Sequence, residues 1–197
     1  MSETRAATVE DLRSVAAVLA DAFNDDPVFE WVFPDLETRP RLLEAMFGFL
    51  AEYVYLPVGR SAIADDAAAL WQPAGVTVGD EFWVEHGEAF AVSIEGQMER
   101  LGALAAAMDE HHPADDCWYL LAIGVSPSAQ GRGLGGRMLT HTLEQIDKAN
   151  EPAYLEATSP RSRVLYERYG FEVTGEFAVD DSPPLWPMWR PPARRGA

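Results

Sequence analysis

The chain has a single cysteine, Cys117, among its 197 residues. An internal disulfide is excluded, and so is a zinc site built from several thiolates. Long apolar runs are also missing. The stretches Met46–Val58 and Cys117–Ala129 are shorter than the ~18–20 apolar residues of a membrane helix, or carry a charge such as Glu52. The start, Met1-Ser2-Glu3-Thr4-Arg5, has no basic-then-apolar signal pattern. Together these absences predict a cytoplasmic protein with no membrane partner. Positive charge is scarce: 15 basic residues stand against 32 acidic ones, a formal net charge of −17. Such a field repels nucleic acid and anionic lipid and favours cationic partners.

What is present is an apolar content of 48%, ordinary for a folded domain. The length suits one hydrophobic core, so residues 1–197 are read as a single domain. The charge is unevenly spread. Residues 1–125 hold 6 basic and 23 acidic residues. Residues 126–170 hold 6 basic ones (Arg132, Arg137, Lys148, Arg161, Arg163, Arg168) and only 5 acidic. An acidic half beside a basic segment suits two ligands of opposite charge; solubility is the plainer explanation.

Hydrophobic periodicity gives an α/β order. Thr8 caps a helix whose apolar face is Leu12, Val15, Ala16, Leu19, Ala20 and Phe23, ended by Asn24–Pro27. A second helix is predicted over Arg39–Tyr53. Ala62–Ala64 and Ala67–Gln72 flank a turn at Asp65-Asp66. Glu81–Met108 reads as helical, with Phe82, Val84, Phe90, Met98, Leu101 and Leu104 inward. Cys117–Val125 is a nearly continuous apolar run, the mark of a strand buried on both faces, and Ser126-Pro127 stops it. A helix over Leu134–Ala149, a strand at Ala153–Ala157, a short helix at Ser162–Tyr169 and a strand at Phe171–Phe177 follow. Leu185–Arg190 is expected as an edge strand, because Pro187 interrupts it. Pro191–Ala197 reads as a frayed tail.

Gly131, Gly133 and Gly136 spell G-x-G-x-x-G between strand and helix, and Glu156 lies twenty residues on. This matches a dinucleotide fingerprint on paper. Ser126–Gln130 separates the strand from the glycines, however, and too little chain follows for a Rossmann domain. A P-loop is excluded because no lysine follows the glycines. The physical content remains: such glycines let backbone N–H groups approach an anion at a helix start, with Arg132 and Arg137 nearby. A tight strand-to-helix turn is the structural alternative.

The segment Gln130-x-x-Gly133-x-Gly135, following a strand that ends in Val-Ser-Pro, resembles the acetyl-CoA-binding motif of the GNAT acyltransferase superfamily. Downstream, the run from Leu155 to Phe171 with its Leu-Tyr-Glu-Arg-x-Gly-Phe element resembles that family's second motif. Ala22-Phe23…Asp26-Pro27, Leu70-Trp71-x-Pro73 and His112-Pro113 look like the branch that contains puromycin N-acetyltransferase. The resemblance implies a mixed, mostly antiparallel sheet with a splayed parallel strand pair and helices on both faces. It divides the domain into an acceptor-side half (1–116) and an acetyl-CoA-binding core (117–177).

By the same resemblance, backbone at Ile123 and Val125 bonds the pantetheine arm of acetyl-CoA, and the Val125 N–H polarises the thioester carbonyl. Backbone N–H groups from Gly131 to Gly136, with Gln130 and Arg132, hold the pyrophosphate. Tyr166 matches the tyrosine acid that protonates the departing thiolate. Ser159 and Ser162 stand where the family often has Asn, and are expected to bond the pantetheine. No metal is expected. For the general base, His112, Asp115, Asp116 and the acids at Asp25-Asp26 are candidates. Cys117 reads as an inert buried thiol. Phe23, Phe29, Trp31, Phe33, Trp83 and Trp118 are candidates to line an acceptor pocket. The implied activity is acetyl transfer to a small amine, such as an amino-bearing antibiotic or nucleoside. A peptide acceptor, a non-catalytic acyl-CoA sensor and a homodimeric state stay open.

Overall fold

The computed structural model describes residues 3–193. Its centre is a seven-stranded sheet in the order β1-β2-β3-β4-β5-β7-β6. The strands are β1 (Arg5–Ala6), β2 (Ala62–Ala64), β3 (Ala67–Gln72), β4 (Trp118–Val125), β5 (Ala153–Ala157), β6 (Glu172–Val173) and β7 (Trp186–Arg190). Only β4 and β5 run parallel. The helices are α1 (Leu12–Phe23), α2 (Pro27–Val32), α3 (Arg39–Leu50), α4 (Asp80–Ser93), α5 (Met98–His111), α6 (Leu134–Ala149) and α7 (Pro160–Glu167). Residues 191–193 are irregular, and the rest of the expected frayed tail, 194–197, lies outside the described residues.

Each face of the sheet has its own core. On one face α1 and α3 bury Val15, Leu19, Leu43 and Phe47. On the other, α6 buries Met138, Leu139, Leu143 and Ile146, the face expected from its spacing. α1 sits so close to β4 that a Cβ at Gly124 would lie 2.7 Å from the Cβ of Ala22. The expected hairpin Ala62–Ala64/Ala67–Gln72, the helix Leu134–Ala149 and the strand Ala153–Ala157 form with those bounds.

Several elements differ from the sequence reading for identifiable reasons. The helical stretch over Glu81–Met108 is two helices. Glu95 and Gly96 take left-handed φ values of 55° and 73°, and their N–H groups return to Val92 O (3.1 Å) and Ala91 O (2.8 Å). This closes α4 with a Schellman motif. Val84 is 87% exposed and is not a core residue. Asn24–Pro27 does end α1, but Asp26 and Pro27 immediately start α2, as N-cap and first helical residue. After α3 the chain continues through a π turn, Ala51–Tyr55, which buries Tyr55.

β7 is an inner strand, not an edge. Pro187 accepts a bond from Thr174 N–H at 2.9 Å on the β6 side. A strand residue's N–H and C=O point the same way, so the N–H that Pro187 lacks belongs to that side too and costs nothing toward β5. It also explains why the expected strand Phe171–Phe177 pairs only through Glu172–Val173. At Thr174 the reciprocal bond cannot form, and the chain rejoins the sheet only as a bridge from Phe177 to Leu185.

Candidate active site

β4 organises the site. It pairs with β5 only from Trp118 to Leu120 and with β3 along its length. The β3 register shifts between Leu70, opposite Ala122, and Trp71, opposite Leu120, so Leu121 is an extra residue in β4. This bulge swaps the alternation. Trp118 and Leu120 belong to the α6-side core, then Ile123 and Val125 pack there, while Leu121 and Ala122 face the α1-side core. A bulge bends its strand and increases the twist. The parallel ladder stops at this residue, and β4 and β5 part.

Beyond the parting, backbone groups of β4 face the gap. Ser126 N–H donates back to Asp66 O at 2.9 Å, on the β3 side. Adjacent strand residues alternate, so the polar backbone of Val125, and of Ile123 two residues earlier, turns toward the gap. The side chain of Gln130 donates to Val125 O at 3.1 Å and accepts from Arg161 at 2.9 Å. Gln130 thus ties the loop to the end of β4 and to α7. Arg132 donates to Ser128 O at 3.0 Å within the same loop.

The glycines form the start of α6. Gly131 and Gly133 have φ of 76° and 75°, a left-handed geometry that favours glycine, and Gly133 is the N-cap. A Cβ on Gly135 would touch Leu165 at 3.6 Å, and one on Gly136 would collide with the Tyr169 hydroxyl. The loop is therefore both a tight turn and a set of N–H groups at a helix start. Ser159 caps α7, accepting from Ser162 N–H at 3.2 Å, while the Ser162 hydroxyl donates to Ser159 O at 2.9 Å. Both serines expected at the cofactor are engaged with each other.

A cavity of about 740 Å³ opens from the parted strands toward α1, α3, α4 and α5. Tyr166 lines it from α7, buried, with its ring edge-on to Phe171 at 6.1 Å. Burial, aided by the Asp26 charge, pushes its phenol well above the ordinary value, so it holds its proton. Phe23, Phe29 and Trp83 line the cavity as expected. Trp31, Phe33 and Trp118 are instead core residues.

The carboxylate within the cavity is Glu156 of β5. Tyr119 donates to its Oε2 at 2.9 Å, and its buried Oε1 has no hydrogen-bond partner in the protein. Burial raises its pKa to about 7, against the lowering effect of the Tyr119 bond and of the Tyr154 hydroxyl beside it. In the sequence Glu156 reads only as the acid that completes a dinucleotide fingerprint, and it is not among the base candidates. The signal was a lone acid in the apolar strand Ala153-Tyr-Leu-Glu-Ala157, a costly place for a charge.

Of the base candidates, His112, Asp115 and Asp116 lie at the exposed rim. Asp25 is bonded by Asn24. Asp26 caps α2 through Val28 N–H (3.0 Å) and accepts from Thr158 at 2.5 Å; burial raises it to about 6. The Cys117 thiol is buried and pushed up to about 11, first by burial and then by Asp116.

A sheet parted at one parallel pair, with a glycine-capped helix at its mouth and an acid–tyrosine cavity beneath, defines an α/β group-transfer enzyme. The comparisons are specific. Residues 57–171 match the model of the acetyltransferase (GNAT) family, and the chain belongs to that family. It is 25% identical over 176 residues to an uncharacterized N-acetyltransferase of Schizosaccharomyces pombe, covering 82% of this chain and 71% of that protein. It is 32% identical over 96 residues to a mycothiol acetyltransferase of Beutenbergia cavernae, 46% of this chain and 30% of that one. A solved Corynebacterium glutamicum structure, described as histone acetyltransferase HPA2 and related acetyltransferase, aligns with TM-score 0.71 at 28% identity, covering 100% and 99% of the two chains. The polyamine N-acetyltransferase of Drosophila melanogaster shares the fold, with TM-score 0.61 at 18% identity over 97% and 100% of the chains. Among the described residues no helix is long and apolar enough to cross a membrane.

Proposed function

We propose that this acetyltransferase uses acetyl-CoA to acetylate the amino group of a small molecule, with Glu156 as base and Tyr166 as acid. The observation that carries the reading is the pairing of a proton acceptor and a proton donor in one cavity at the parting of β4 and β5.

The residues fit the cofactor's chemistry. The left-handed glycines at the start of α6 offer backbone N–H groups to a pyrophosphate. The gap-facing backbone of Ile123 and Val125 offers bonds to an amide-bearing arm. When bound, acetyl-CoA supplies an activated acyl group as a thioester. The carbonyl of that group is served by the Val125 N–H. Ionised Glu156 takes a proton from the incoming ammonium, which frees the nitrogen lone pair to form the N–C bond. As the C–S bond breaks, Tyr166 gives its proton to the sulfur. The phenolate recovers a proton from the nitrogen, now bearing an excess one, and Glu156 returns its own to solvent. A pure acyl-CoA sensor needs neither group.

The two serines are proposed to serve the arm only by shaping the start of α7. The sequence likeness to the puromycin branch keeps aminonucleosides among the acceptors worth testing. A protein acceptor is the second reading, favoured by the described role of the Corynebacterium glutamicum relative. The test is thiol release from acetyl-CoA against small amines and peptides. Release with peptides alone would replace the first reading by the second.

A further inference from the structure

Part of the cavity lining is an apolar wall of Phe23, Phe29, Phe47, Leu101, Leu104 and Met108. The three phenylalanine rings contact one another, with centroids 5.2, 5.5 and 5.7 Å apart. No lining residue among those described is Lys or Arg. The carboxylates that face the space are Asp109, Asp115 and Asp116 at the exposed rim, where His112 also stands, and Glu156 inside. At about 740 Å³ the space is within the roughly 300–1,000 Å³ typical of small-molecule sites. Glu156 Oε1 is the buried acceptor without a partner, and a buried polar atom needs one.

This arrangement sorts amines by charge and by body. The rim draws in a cation. An anionic group on the acceptor would meet four carboxylates and no compensating lysine or arginine. A second ammonium would have to enter the apolar wall without a partner, a costly transfer. An alkyl or aromatic body gains from the same wall. Resting on the amine-acetylation reading, we infer that the acceptor is a lipophilic monoamine: its one amino group meets Glu156, its apolar body fills the Phe–Leu–Met wall, and it carries no other charge.

Matched pairs test this. Thiol release is measured with hexylamine against 1,6-diaminohexane, and with phenylethylamine against phenylalanine, a lysine-containing peptide serving as a further acceptor. Calorimetry measures the same amines binding to the protein without acetyl-CoA. Hexylamine should exceed the diamine in kcat/KM by about tenfold or more, and phenylethylamine should exceed phenylalanine by a larger factor. Leu101→Glu, on the wall and only partly buried, should move the hexylamine-to-diamine ratio about tenfold toward the diamine; its melting curve verifies its fold. Equal or better turnover of the diamine, the amino acid or the peptide overturns the inference while leaving acetylation intact. Thiol release with no amine, alongside tighter calorimetric binding of hexylamine than of the diamine, refutes the reaction and supports the preference of the cavity.

Discussion

Replacing Glu156 with Gln should make the protein more stable at alkaline pH while slowing its chemistry. The ordinary value of this carboxyl is 4.5, and burial lifts it to about 7. A raised carboxyl binds its proton more tightly in the folded than in the unfolded chain. Its stabilising contribution is therefore complete below the unfolded value and is lost as the pH rises through the folded one. The interval from 4.5 to about 7 corresponds to on the order of 3 kcal/mol. Gln does not titrate, so the variant escapes this loss. Urea unfolding of both proteins across the range should show a stability difference that is constant below about pH 4. The difference then grows in the variant's favour and levels off above about pH 8. For a chain of this size that amounts to roughly 6–12 °C in melting temperature at the alkaline end. The pH-dependent part of the difference is independent of how well the amide packs, which makes it the clean observable. Turnover of the variant at pH 8 should fall by about 10²-fold or more. The wild-type kcat/KM should rise through a limb near 7 that the variant lacks. Stability curves that run parallel between pH 4 and pH 8 would refute the reasoning.

Tyr166→Phe removes only a hydroxyl, so acetyl-CoA affinity by titration should be nearly unchanged while kcat falls by about 10²-fold or more; unchanged turnover removes Tyr166 from the chemistry. Gly133→Val forces a β-branched residue into a left-handed N-cap, at a cost of about 1–3 kcal/mol. Its acetyl-CoA affinity, measured by calorimetry, should weaken, and normal binding would sink the loop assignment. Arg39 is buried and donates to Phe33 O (2.7 Å), Asn24 O (2.9 Å) and Pro34 O (3.3 Å). Arg39→Ala leaves these carbonyls without their donors, and should destabilise the fold by about 2–5 kcal/mol in urea unfolding.

How much of this was legible in the sequence depends on the range of the interaction. The helix Leu134–Ala149 and the strand Ala153–Ala157 carry their own periodicity and punctuation, and form where the pattern places them. The glycine turn at the start of α6 was legible because its glycines are needed for local backbone geometry. β7 was misplaced because Pro187 is an edge signal only when its missing donor has nowhere to hide, and partner order is a tertiary matter. The break between α4 and α5 rests on Glu95, a residue type rarely found with left-handed φ. The environment of Glu156, and with it the base role proposed for it, is not legible because it comes from Tyr119 on the neighbouring strand and from the cavity wall contributed by residues far earlier in the chain. Of the charge asymmetry, the structure locates Asp109, Asp115 and Asp116 at the mouth of the cavity, while Glu44, Glu52 and Asp80 are exposed and do not line it.

The extra residue in β4 separates two properties that most binding clefts combine. Whether the two parallel strands part is a matter of backbone twist, set by one extra position at Leu121. What occupies the opening is a matter of surface, set by side chains on α1, α3, α4 and α5. Point substitutions on those helices can retune the acceptor without zipping the strands together. Deleting Leu121 would restore regular alternation with Ile123 and Val125 still on the α6 side, and would remove the local twist at which the strands part. A scaffold wired in this way can refit the body of the cavity while the parted strands are inherited unchanged.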